Sequence, residues 1–266
     1  MHTSFRDRLM QIAGAVIRPL VYVTLALPAV IVVISSFTAG DSLRFPPQGF
    51  SFKWYEAAIH SEPFMASLWI STKLALIATA CSLVLGTMAA FALDRHAFRG
   101  REAFRTLTLS PLIVPMVVLG LGLLQFLAWI GWNQTFFGML VGHVLITLPY
   151  VVRAISANLV LFDRTLEQAA MNLRASPLTV LRRITLPLLA PTLIAGGVFA
   201  FVTSFGNITL SIFLGFSDGT TLPVQIFTYV ENSYDPILAA VSTLVILVTL
   251  VVIAIVEKFI GMEKVT

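Results

Sequence analysis

A chain of 266 residues that is 58% hydrophobic and only 11% charged, with a mean hydropathy of +0.91, cannot clothe a water-facing surface, so a soluble globular domain is excluded. Its solvent is mostly the lipid bilayer. A single cysteine, Cys81, inside an apolar run excludes a disulfide framework and a thiolate-rich metal site, and the net charge of +4 bears on orientation in a membrane rather than on a nucleic-acid partner.

A helix rises about 1.5 Å per residue, so about 20 apolar residues cross a hydrocarbon core of ~30 Å. Five stretches qualify, at 19–43, 74–93, 106–152, 184–217 and 236–256; the last four are free of Asp, Glu, Lys and Arg, and the first carries only Asp41, near its end. The third is long enough for two crossings, and its middle, Trp129-Ile130-Gly131-Trp132-Asn133-Gln134, reads as a polar turn between interfacial tryptophans. The expectation is an all-α membrane protein, one transmembrane domain over 1–266, with six spans near 15–37, 64–93, 106–128, 135–160, 192–215 and 236–256. The first begins like a signal peptide, with arginines before an apolar run. That run extends to about Phe37 without a small-x-small site close behind it, so it is read as a retained span.

An even number of spans puts both termini on one side. With that side cytoplasmic, the inside segments hold fourteen of the seventeen bases, from Arg6, Arg8 and Arg18 to Lys258 and Lys264, while only Arg44, Lys53 and the boundary residue Lys73 fall outside. The bias sets both termini on the cytoplasmic side of the membrane. The outer loops, carrying Asp41, Glu56, Glu62, Asp218, Glu231 and Asp235, are net acidic. Lys73 and Arg153 lie close enough to span ends to snorkel to an interface.

No acid stands at a membrane centre, which disfavours an ion-coupled carrier; the lone candidate for a relay is His143, whose bland reading is a satisfied structural histidine. Nor does the chain carry His-Glu-x-x-His or Gly-x-Ser-x-Gly, so neither a catalytic site nor a metal site is expected. A phosphate-binding loop of the Walker type needs Gly-Lys-Ser/Thr, and the four lysines follow Phe52, Thr72, Glu257 and Glu263. Any ATP hydrolysis belongs to another chain.

The most informative segment is the loop 161–191 between spans four and five. Thr165 and Gln168 form a capping-box pattern, and Leu166, Ala169, Ala170 and Leu173 follow at i, i+3, i+4 and i+7. Ser176 then reads as an N-cap with Pro177 at the first helical position, and Pro187 is expected to break the helix after Ile184. Periodicity alone leaves two readings open, an amphipathic pair on the membrane surface or a docking element for another protein.

The segment 201–213 places Thr203, Ser204, Asn207 and Ser211 at about one-turn spacings. Small polar groups in such a row suit either a translocation path or helix packing, and both readings stand.

Glu167, Ala169, Ala170, Ala175, Ser176, Pro177, Ile184, Leu186, Pro187 and Pro191 together resemble the EAA motif of ABC-importer permeases. The segments 45–50 with Trp54 and Tyr55, 95–100, 111–115 and 221–223 resemble the polyamine, opine and phosphonate branch of type I importers. The resemblance implies a type I importer permease fold whose cytoplasmic coupling helices dock on an ABC ATPase dimer through Thr165, Glu167, Ala169, Ala170, Leu173, Arg174, Ser176 and Pro177. It implies ATP and Mg on that ATPase and no cofactor in this chain. It further implies a second permease, on this branch a different chain, an extracytoplasmic substrate-binding protein, and a small polar solute as cargo. Two positions depart from the family. Arg174 occupies the bend where glycine is usual, and a non-glycine residue at positive φ costs roughly 1–2 kcal/mol; either the bend differs or Arg174 meets an acid on the ATPase. Gly206-Asn207 stands where polyamine permeases often place an acid, which weakens the case for a polycation.

Overall fold

The computed structural model describes residues 5–217 and 219–262. Asp218 and Lys264, assigned above to an outer loop and to the inner side, lie outside the described residues, as do the side chains of Arg6 and Arg8. Every regular element among the described residues is helical. The described residues pack as two units, one from those up to Met65 with Tyr229–Val251, the other from Ala66–Thr228 with those that follow Val251.

In the first unit, α1 (Phe5–Ser35) supplies an apolar stretch, Ile17–Ser35, that is exposed from Ile17 to Val30, becomes partly buried toward its end, and is long enough to cross a membrane. Its end is tied down by α2 (Lys53–His60) and the segment before it. Ser36 Oγ and the Tyr55 hydroxyl lie 2.5 Å apart, Gln48 N donates to Thr38 Oγ1 at 3.1 Å, and Phe37 stacks on Phe50 with centroids 5.1 Å apart.

The second unit is built on α3 (Glu62–Arg95), α6 (Phe136–Leu161) and α9 (Leu186–Phe205). Ser82 of α3 and Thr147 of α6 share a buried hydrogen bond of 2.7 Å, while Val151, Ile155, Leu189 and Ala200 form a core between α6 and α9. Lys73 is exposed, and its ammonium lies 5.1 Å from the centre of the Phe136 ring at the start of α6, so the charge meets a π face rather than hydrocarbon alone.

Two spans depart from the expected outlines, the fifth of them at both ends. The stretch 106–128 is not one straight crossing: α4 (Arg101–Leu109) runs into a tight turn at Ser110–Leu112 and is bent by 109° from α5 (Met116–Trp129). Pro111 and Pro115 explain the break, because each lacks an N–H and restricts the residue before it. Pro187 does not end a helix. From α8 (Pro177–Val180) the chain widens into a π turn at Leu181–Thr185 and continues as α9, with Pro187 in its first turn, where a missing N–H is tolerated. The stretch 192–215 stops being helical at Gly206, and a short α10 (Thr209–Phe213) follows, its Leu210 N–H held by Asn207 Oδ1 at 2.8 Å. After α11 (Leu222–Asn232), α12 (Ile237–Met262) is apolar over Ile237–Val251.

By length and composition, Ile17–Ser35, Glu62–Arg95, Phe136–Leu161 and Pro177–Phe205 each suffice to cross a membrane, and the bent α4–α5 pair makes a fifth. With α12 this is consistent with six spans.

Candidate functional site

The loop 161–191 folds as α7 (Thr165–Asn172), a bend, and α8. The expected capping box at Thr165 and Gln168 does not form. Asp163 Oδ1 instead accepts the Thr165 N–H at 2.9 Å, and that N–H, with the Thr165 hydroxyl, holds the Asp163 carboxyl below the usual carboxylate range. An aspartate two residues earlier therefore competes successfully for the same orphan donor.

α7 ends in the bend with Arg174 at φ 63°, the Arg174 N–H donating to Met171 O at 2.9 Å and the Ala175 N–H to Ala170 O at 3.1 Å. This pair of bonds is the Schellman arrangement that usually recruits glycine. The left-handed bend is thus kept despite the side chain, which answers the first of the two readings of Arg174. Ser176 caps α8 as expected, its Oγ accepting the Thr179 N–H at 3.3 Å with Pro177 in the first turn.

The stripe of α7 faces outward rather than into the chain: Leu173 is 85% exposed, Leu166, Met171 and Leu178 are about half exposed, Ala169 is exposed and Ala170 half-buried. Glu167 does the opposite. Only 5% exposed, it accepts two bonds from Arg95 at the end of α3, Nη1 to Oε2 at 2.5 Å and Nη2 to Oε1 at 2.9 Å, and a third from Thr185 Oγ1 at 2.5 Å. Arg95, with Thr185 and the charge of Arg164 in support, holds the Glu167 carboxyl below the usual glutamate range against the opposing effect of burial. A second ion pair runs alongside, Arg164 Nη2 to Asp94 Oδ2 at 2.7 Å. The Arg95 guanidinium also lies over Phe91 and Phe162, 5.5 and 5.9 Å from their ring centres. Met171, Pro177, Val180 and Leu181 line an open cleft of about 190 Å³ beside this cluster.

Sequence reasoning placed Glu167 here but missed Arg95, Asp94 and Thr185 as its company. The one signal was an acid-base pair, Asp94-Arg95, closing a long apolar run; pairing across some seventy residues has no periodicity to betray it.

The four candidate path residues do not form a row. Because α9 ends at Phe205, Ser204 and Ser211 turn inward onto the fully buried His143 of α6: Nδ1 lies 2.8 Å from Ser204 Oγ and Nε2 lies 3.3 Å from Ser211 Oγ. The Ser211 hydroxyl already donates to Asn207 O at 2.7 Å, so it accepts from Nε2–H and leaves Nδ1 to accept from Ser204. Both ring nitrogens are satisfied, as the structural reading of His143 requires. Thr203 and Asn207 remain half-buried.

Among the described residues, apolar helices long enough to cross a membrane and a short helix pair with an exposed apolar stripe are the features of a multi-pass membrane protein. Residues 82–260 match the family of binding-protein-dependent transport system inner membrane components, and the chain belongs to that family. It is 31% identical over 233 residues to the spermidine/putrescine transport system permease protein PotC of Haemophilus influenzae, covering 88% of this chain and 90% of that one. To the putrescine transport system permease protein PotI of Escherichia coli K12 it is 34% identical over 226 residues, 82% and 80% of the two chains. These relatives place it in the polyamine branch of ABC-importer permeases, as a multi-pass inner-membrane subunit of a binding-protein-dependent importer. Its fold is shared with a bacterial ABC transporter that imports the acidic polysaccharide alginate, at TM-score 0.74 and 18% identity over 97% of this chain and 99% of that one. The MetNI methionine ABC transporter also shares it, at TM-score 0.63 and 17% identity over 77% and 99%.

Proposed function

We propose that this subunit forms half of the path of an importer for a small polyamine of the putrescine and spermidine class, driven by a separate cytosolic ABC ATPase dimer that carries ATP and Mg. The ATPase docks on the loop 161–191. The observation that carries the docking is the outward apolar stripe of α7 and α8, with Leu173 at 85% exposed: an exposed apolar patch marks an interaction surface, and here the motif that the loop resembles favours a protein partner over the membrane surface. Both termini and this loop face the cytoplasm, in line with the concentration of bases there. A second, different permease completes the path, and an extracytoplasmic binding protein delivers the solute. The polyamine assignment rests on the relatives named above and is made although Gly206-Asn207 replaces the acid common in that branch.

The test is uptake into proteoliposomes holding the two permeases and the ATPase, with binding protein outside. Putrescine should be taken up when ATP is enclosed and 2-aminoethylphosphonate should not compete; competition without putrescine uptake sinks the polyamine assignment. Leu173→Asp, at an exposed position, should leave the permease folded and abolish co-purification of the ATPase. Retained co-purification places the docking elsewhere.

A further inference from the structure

The coupling helix α7 is joined by the chain itself to α6 on one side and, through α8 and the π turn, to α9 on the other. Its connection to α3 is made by side chains. Two ion pairs form it, Arg95 with Glu167 and Arg164 with Asp94, and they differ in kind. The Arg95–Glu167 pair is two-pronged, its side chains 21% and 6% exposed, and Thr185 of the π turn adds a third bond to the same carboxylate. The planar guanidinium fork gives such a pair a fixed orientation. The Arg164 side chain is 48% exposed, so its pair is weakened by solvent and contributes less.

Further along α3, Leu76, Thr79 and Leu83 form one wall of a cleft of about 390 Å³ whose other wall is α9, through Leu193, Gly197 and Phe201. Whether that cleft changes when α7 is moved depends on whether α3 follows α7 as α9 must.

We propose that Arg95 and Glu167 are a positioning pair that makes α3 travel with the coupling helix, so that a displacement received at α7 reaches α3 as well as α6 and α9. The inference rests on the reading of the loop 161–191 as the ATPase-docking element. Glu167 then acts inside this chain, gripping α3, while the opposite face of α7 meets the ATPase. Losing either partner leaves the other charge half-desolvated and α3 free to lag.

The experiment uses the reconstituted complex of both permeases and the ATPase in a Cys81→Ala background, with spin labels at the exposed positions Met88 on α3 and Gln168 on α7. The distance between the labels is measured without nucleotide and with ATP on a hydrolysis-deficient ATPase. In the parent it should be the same in both states. Glu167→Gln, which keeps the shape and removes the charge, should lose that fixed distance on ATP binding. Arg95→Met should lose it equally, and the double variant should be no worse than either alone, because one interaction is removed three ways. If Arg95→Met does not assemble, Arg95→Lys takes its place and should hold the distance only in part; a fully held distance overturns the proposal. So does a parent distance that changes with ATP, or variants that keep the distance as the parent does. Co-purification separates the two levels: a parent that fails to bind the ATPase sinks the docking reading and this proposal with it. A Glu167→Gln variant that alone loses the ATPase shows the carboxylate to be a docking group and sinks the positioning role only.

Discussion

Gly86 of α3 lies so close to Val151 of α6 that a β-carbon on the glycine would stand 2.8 Å from Val151 Cγ1 and 2.9 Å from its Cβ. Val151 is fully buried and cannot step aside. Small residues at such crossings let helices in a bilayer approach closely, where dispersion contacts replace the hydrophobic drive that lipid does not supply. Gly86→Val should therefore destabilise the protein by about 1–3 kcal/mol from overpacking, outweighing the ~0.5–1 kcal/mol that replacing glycine in a helix returns. Val151→Ala in the same chain should recover part of the loss. Thermal unfolding in detergent reads both, and additive losses in the pair would show that the two residues are not in contact.

Arg174 holds a left-handed backbone at φ 63°. Arg174→Gly removes a steric cost of roughly 1–2 kcal/mol, partly offset by the greater freedom of glycine in the unfolded chain. The isolated permease should gain up to about 1 kcal/mol of stability. If the arginine meets an acid on the ATPase, the same substitution should weaken binding of the ATPase while it stabilises the permease. Unchanged affinity would assign the arginine no role in docking.

Glu167 has its carboxyl held below the usual glutamate range, chiefly by Arg95. A group depressed in the folded state stabilises fully above its unfolded value, about 4.3 for glutamate, and loses that contribution as pH falls through the lower folded value. The stability difference between the parent and Glu167→Gln should be flat from pH 8 to about pH 5 and shrink below about pH 4.3. A difference that shrinks near neutrality would place the titration on another group.

Orientation is tested by single cysteines at Ser176 and Ser51 in a Cys81→Ala background. An impermeant thiol reagent applied to intact cells should label position 51 and spare position 176 until the membrane is opened. The reverse result would turn the topology over.

Hydropathy and charge suffice, without coordinates, to establish a helical membrane protein and to locate its apolar stretches, because in lipid every backbone group must find its partner within the helix and twenty apolar residues are hard to hide. Local chemistry was legible where the partners are neighbours: Ser176 and Pro177 cap α8 as the dipeptide requires, and the bend at Arg174 is left-handed where the motif places it. Local competition already blurred the reading, since Asp163 took the Thr165 N–H that the capping box would have used, and a π turn absorbed Pro187. What only the tertiary structure decided is which way each polar side chain turns. Thr203, Ser204, Asn207 and Ser211 look like one row until α9 stops at Phe205 and two of them rotate onto His143. Glu167 looks like part of an outward docking face until Arg95, far away in sequence, draws it inward. Spacing along a chain fixes the face of a helix, but whether that face meets lipid, a partner or a buried charge is settled by residues that periodicity cannot connect.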